Sequence, residues 1–259
     1  MKNIFLISFS VFASFVLTAC GGDHNHSHTS SSTGTSAASS MLSSASTSSS
    51  STPATKFSIT ITNLTAGQPL SPTAVVLHTS AFKAFEVGMP ASVELEKIAE
   101  SGNPDSFLAD AMTNTSTFVA TKASGGIPPG MTTTLMVEAQ IADASALKLT
   151  ALSMLGNTND GFTGLTGIDI SKIAIGDSMV IDTISYDAGT EKNSETAATV
   201  PGPAAGGEGF NPTRDDSPNT VAMHSGVLTK DDGNPDSALT SINRWDNPVA
   251  RITITHLAP

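Results

Sequence analysis

Nucleophiles, bases and metal ligands are few in this chain, and their spacing says much about them. The single cysteine, Cys20, ends the stretch Leu17-Thr18-Ala19-Cys20, directly after a short apolar run. Of six histidines, three alternate in Asp23-His24-Asn25-His26-Ser27-His28. Alternating imidazoles offer a transition metal weak ligands. Here they stand on a polar spacer with no rigid scaffold, so the segment reads as a solvated tract. His78, His224 and His256 remain. His224 and Ser225 are neighbours, and neighbours on a strand face opposite sides, so they do not pair there as base and nucleophile. The chain has no Gly-x-Ser-x-Gly elbow, no His-Glu-x-x-His zinc motif and no phosphate-cradling glycine loop. His78 and His256 fall on predicted strands and read as satisfied core or rim groups. Paired carboxylates of the glycosidase kind are defined by distance in space, so their chemistry stays open.

Cys20 is explained by what precedes it. Lys2 supplies a positive start, and Ile4 to Val16 is an apolar run too short for a permanent membrane span. Residues 1–19 therefore read as a signal peptide. Small residues before the cysteine resemble the lipobox of bacterial lipoproteins. The resemblance implies that Cys20 is lipidated as the first mature residue and that the lipid bilayer is a partner. Two acyl chains suffice for stable anchoring, at about 0.8 kcal/mol per buried CH₂. Gly21, not the aspartate of inner-membrane retention, follows, which favours the outer membrane in a two-membrane host. The alternative is a buried, unmodified thiol after an ordinary secretory cut. Free cysteines belong in folded cores, not at the edge of polar tracts.

Residues 20–55 form the next unit, lipidated Cys20 followed by a tether. From Thr29 to Thr52 the chain is almost entirely Ser, Thr, Ala and Gly and cannot bury enough apolar surface to fold. As a flexible coil it would reach about 30–35 Å on average. Residues 56–259 are long enough for one sizeable core. The formal net charge of the full chain is −11. Such acidity argues against nucleic acid as a partner, since phosphates need Lys and Arg. It argues equally against docking on anionic lipid by charge alone. With one cysteine, no disulfide within the chain is available. The fold must hold by its core, helped by a bound ion if one is present.

Several elements must carry the remaining chemistry. Lys56 to Thr62 alternates apolar and polar residues, the period of a half-buried strand. Ala74 to His78 is a continuous apolar run and a second strand. Ser92 caps a helix with Glu94 and Glu96 in its first turn, Val93, Leu95, Ile98 and Ala99 as its apolar stripe, and Gly102 at its end. Asn103 caps a second short helix, with Pro104 in first position and Phe107, Leu108 and Met112 inward. Gly102-Asn103-Pro104-Asp105-Ser106 recurs as Gly233-Asn234-Pro235-Asp236-Ser237, a repeated start of loop into helix. Leu135 to Ile141, Leu147 to Ala151, Met179 to Ile184 and Ala250 to Thr255 read as further strands. Thr199 to Asp216 is a long insertion rich in Gly and Pro. The expected class is all-β, an antiparallel sandwich with one or two short helices in an insertion.

Motifs in fixed order sharpen this expectation. Phe57 to Thr65, Gln68 to Pro72, Phe85 to Gly88, Tyr186 to Glu191 and Asn247 to Ile254 resemble the spondin domain in its bacterial form. This is the domain family of F-spondin and mindin. The resemblance implies a β-sandwich like those of calcium- and phospholipid-binding modules, with a divalent cation in loops at one end. Asn157 to Phe162, with Asp160, and Tyr186 to Glu191, with Asp187 and Glu191, match its metal-site region. Asp160, Asp187 and Glu191 are thus the implied Ca²⁺ ligands, a hard cation that takes six to eight oxygens. Glu191 stands where animal members have aspartate. The same residues have plainer readings. Asn159-Asp160-Gly161 is a tight-turn signal, and Asp187 can cap its own turn.

The reading is a membrane-anchored, non-catalytic domain of the cell envelope that binds a divalent cation and mediates adhesion or recognition of a protein or glycan. An extracellular polymer hydrolase and a purely structural envelope lipoprotein are the alternatives. Tyr186 and Trp245 are the only residues of their kinds, a thin supply for a sugar-stacking platform. Trp245 also reads as a core plug before the last strand.

Overall fold

The expected strands form, and their pairing explains their patterns. The structure is a computed structural model and describes residues 54–79 and 82–259. Cys20, the signal peptide, the histidine tract and nearly all of the tether lie outside the described residues. β1 (Ala54–Asn63) pairs along its length with β10 (Ala250–Leu257), and on its other side with β4 (Thr132–Gln140). β7 (Ser178–Thr183) completes a four-stranded antiparallel sheet in the order β4-β1-β10-β7. The inner face of this sheet carries Phe57, Ile59, Ile61, Leu135, Val137, Ile252 and Ile254, all buried. Its outer face carries Ser58, Thr60, Thr62, Thr132 and Thr134. This is the period-two alternation predicted for a sheet with one wet face.

The second sheet has six strands. Its order is β3 (Thr117–Lys122), β2 (Ala74–His78), β5 (Lys148–Met154), β6 (Gly161–Asp169), β8 (Ser185–Asp187) and β9 (Ala222–Met223). Every residue of β2 is buried. Val75 and Leu77 face the first sheet, whereas Ala74 and Val76 face a layer of helices. A strand covered on both sides has no polar face to show, hence the unbroken apolar run.

Two helices make that third layer. α1 (Val93–Ser101) starts at Ser92, whose hydroxyl accepts the Leu95 N–H at 3.1 Å, and ends at left-handed Gly102. α2 (Asp105–Thr113) follows after Asn103, whose side chain accepts the Asp105 N–H at 2.9 Å. Leu95, Ile98, Ala99, Phe107 and Ala111 pack on Leu152 and Phe162 of the six-stranded sheet. Two expectations need correction. Val93 and Met112 are exposed, and Ala111 takes the inward place expected of Met112. The repeated pentapeptide does not start a second helix. Its later copy follows a short 3-10 turn (Lys230–Asp232) and continues as a turn. What the copies share is a left-handed glycine that ends the preceding turn of helix.

Thr199 to Asp216 contains no regular element, yet it is held in place. Arg214 donates to Glu96 of α1 at 2.7 Å, and the Asn211 N–H donates to Glu100 at 2.8 Å. Trp245 packs partly buried against the inter-sheet core, and its indole N–H donates to Ser185. No described helix is long and apolar enough to cross a membrane.

Candidate metal centre

Three segments meet at one end of the sheets. The connection from β5 to β6 brings Asp160, the end of β8 brings Asp187 and the turn after it Glu191, and α1 brings Glu96 and Glu100. The β5–β6 connection is braced from within. The Thr158 hydroxyl donates to the Leu155 carbonyl and accepts the Gly161 N–H at 2.9 Å. Asn157 and Gln68 exchange hydrogen bonds across it.

Asp160 is fully buried. Its Oδ2 accepts the Thr190 N–H at 2.7 Å, the Glu191 N–H at 3.1 Å and the Thr190 hydroxyl at 3.2 Å. Its Oδ1 is buried without a partner. The plain tight-turn reading of Asn159-Asp160-Gly161 is therefore incomplete, because Asp160 organises a turn 30 residues away. Burial, and then the charge of Asp187, push its carboxyl up to about 7, against the pull of those hydrogen bonds.

Asp187 does cap its own turn. Its Oδ1 accepts the Gly189 N–H at 2.7 Å, and its Oδ2 accepts the Asn193 amide at 2.6 Å. Gly189 is left-handed, at φ +70°, and a Cβ there would meet the Thr220 backbone at 2.5 Å. Only glycine fits that turn. Register brings Asp187 beside the other loop, since it pairs with Gly161 across β6 and β8.

Glu191 is largely buried, and burial followed by the charges of Glu100 and Asp160 raises its carboxyl to about 8. Asp160 and Asp187, and Asp160 and Glu191, thus share one electrostatic neighbourhood. Among the described residues, no three His, Cys, Asp or Glu side chains form a ready-made cage for a metal ion. Like charges repel, so drawing carboxylates into one sphere requires a cation between them.

Several neighbours escaped sequence reasoning. Glu96 and Glu100 are buried, although the sequence marks Glu96 only as an acid of the first helical turn. Glu96 is paired with Arg214, and each glutamate keeps one buried oxygen without a partner. Burial raises the Glu100 carboxyl, and the Asn211 N–H opposes this. Glu195 has an unusual positive φ of 51° and one unpartnered oxygen, and burial lifts it to about 7. His224 is buried against Gly161 and stacks edge-on to Trp245. Its Nδ1 accepts the Gly226 N–H, which leaves the proton on a buried, unpartnered Nε2. Burial holds this imidazole neutral, against the attraction of Asp187. The i, i+4 spacing of Glu96 and Glu100 was the only local signal for any of these groups.

His78 and His256 fit their expected roles. His78 is buried with both nitrogens engaged, by the Thr79 carbonyl and the Thr150 hydroxyl. His256 stacks on Phe57 and bonds the Ile173 carbonyl.

A family model described as Spondin_N matches residues 65–202. The chain belongs to the Spondin_N family. The matched span is more than half of the 259 residues and contains Asp160, Asp187 and Glu191. β1 begins before it and β10 follows it, so the four-stranded sheet draws on residues from both sides of the matched span. A search for curated relatives found no match.

Proposed function

We propose that this spondin domain is a non-catalytic recognition module of the cell envelope, organised by a divalent cation held at Asp160, Asp187 and Glu191. The unpartnered Oδ1 of Asp160 carries the reading. A carboxylate oxygen buried without a donor costs free energy unless it is protonated or faces a cation. Here it lies among other carboxylates, the condition in which a cation gains most. The donors are hard oxygens, which suit Ca²⁺. Asp160, Asp187 and Glu191 would hold the ion, with backbone carbonyls and water completing its shell. Bound there, it would neutralise the loops and fix them as a surface for a protein or glycan ligand.

Binding rather than catalysis is supported by how these carboxylates are used. Asp160 spends one oxygen on donors of the turn at Thr190 and Glu191, and Asp187 spends both on donors of its own loop, which is the work of positioning. A surface cleft of about 510 Å³ lies elsewhere, against Leu64, Ser241, Arg244 and Trp245. In the same reading Cys20 is acylated and holds the domain to the bilayer, with the outer membrane favoured.

Thermal melting with calcium and with EDTA tests the site. Calcium is expected to raise the midpoint by several degrees and EDTA to reverse this. Asp187→Ala is expected to abolish the calcium effect. No shift in the wild-type chain, together with no calcium by elemental analysis, would overturn the reading.

A further inference from the structure

The buried carboxylates continue past the three implied ligands. In order they are Asp187, Asp160, Glu191, Glu100 and Glu96, each no more than 9% exposed. Adjacent members are linked by structure. Asp160 accepts the Glu191 N–H, and the charge felt most strongly by Glu191 is that of Glu100. Glu100 and Glu96 lie one turn apart on α1. The segment Asn211 to Asp215 bridges the middle of the string. Asn211 donates to Glu100, Arg214 to Glu96, and the Asp215 N–H to the Thr190 carbonyl at 3.1 Å. Glu100 of the helix layer is therefore brought against the turn that follows β8.

Charge is badly out of balance along this string. Arg214 is the cation paired with it, at Glu96. Fully ionised, five carboxylates against one guanidinium would carry four negative charges, of which one divalent ion would offset two. Three buried oxygens of the string also lack partners, Oδ1 of Asp160, Oε1 of Glu100 and Oε1 of Glu96. The second belongs to none of the three implied ligands and lies on a different element.

We propose that a second divalent cation binds between Glu100 of α1 and Glu191, beside the ion at the Asp160–Asp187 pair. Glu191 feels the charges of both Glu100 and Asp160, and is the side chain suited to bridging the two ions. The second ion would tie the helix layer to the loops at the end of the sandwich. Backbone carbonyls and water would supply its remaining oxygens, as hard cations allow. This inference rests on the reading that the Asp160–Asp187 pair takes a cation.

The test is a count of bound ions. The purified full chain is stripped of metal, dialysed to equilibrium against millimolar calcium, and the metal per chain is measured. Two ions are expected for wild type and one for Glu100→Gln. The metal-free variant should melt no lower than metal-free wild type, since it carries one buried charge fewer. One ion in wild type, or two retained by Glu100→Gln, overturns the second site; protonation would then be what neutralises Glu100. No ion in wild type overturns the first site as well. If Glu100→Gln does not fold, the wild-type count alone decides.

Discussion

Asp160 shows how much one side chain can be asked to do. One of its oxygens organises the turn at Thr190 and Glu191, while the other is buried with nothing to bond. Burial lifts Asp160 and Glu195 to about 7 and Glu191 to about 8. In an unfolded chain such groups titrate at about 4. A carboxyl raised on folding binds its proton more tightly in the native state. Its contribution to stability is full below the unfolded value and is lost as pH rises through the folded one. The metal-free chain is therefore expected to lose stability steadily between about pH 4 and pH 8. Urea midpoints across that range check this, and a flat or rising profile contradicts it. Calcium should flatten the fall, because a bound cation replaces the protons. The turn at Asp187 was legible in sequence because an aspartate and a glycine two residues apart close it locally. The partners of Asp160 were not legible. They are two backbone N–H groups and one threonine hydroxyl of a turn 30 residues away, and nothing local in the sequence links that turn to Asp160.

Elements with local signals were the readable ones. Ser92 and Gly102 bound α1 as cap chemistry predicts, and the alternating strands lie where the period put them. β3 and β6 carry weaker signals. β6 holds Gly161, Gly164 and Gly167, residues that weaken a strand pattern. Gly164 is there for packing, since a Cβ would meet the Ala151 carbonyl oxygen at 2.0 Å. The face of α1 was only half readable. Its stripe of Leu95, Ile98 and Ala99 is buried, but so are Glu96 and Glu100. They are buried because the Thr199–Asp216 insertion folds over them and supplies Arg214 and the Asn211 N–H. Arg214→Ala removes the guanidinium and leaves Glu96 uncompensated. The expected cost is about 3 kcal/mol, as for other buried pairs broken on one side. Chemical denaturation measures it, and a loss below about 1 kcal/mol would mean that the insertion is not pinned through this pair.

At the scale of the whole molecule, the two ends of the domain are neighbours. β1 and β10 run side by side in the middle of the four-stranded sheet, so that sheet exists only once the last strand is present. The proposed anchor belongs to this scale too. Metabolic labelling with palmitate is expected to mark the wild-type chain and to leave Cys20→Ala unlabelled, with the variant released from the membrane fraction. An unlabelled wild-type chain would remove the anchor from the account. Strand period, helix caps, the Asp187 turn and the acidic balance are properties of neighbouring residues, so one dimension is enough to read them. The sandwich motifs in their order carried the class of the fold with them. The convergence of α1, the β5–β6 connection and the turn after β8 on one buried string of carboxylates is of another kind. It depends on sheet register and on an insertion crossing a helix, contacts between residues far apart in the chain, and those form only when the layers pack.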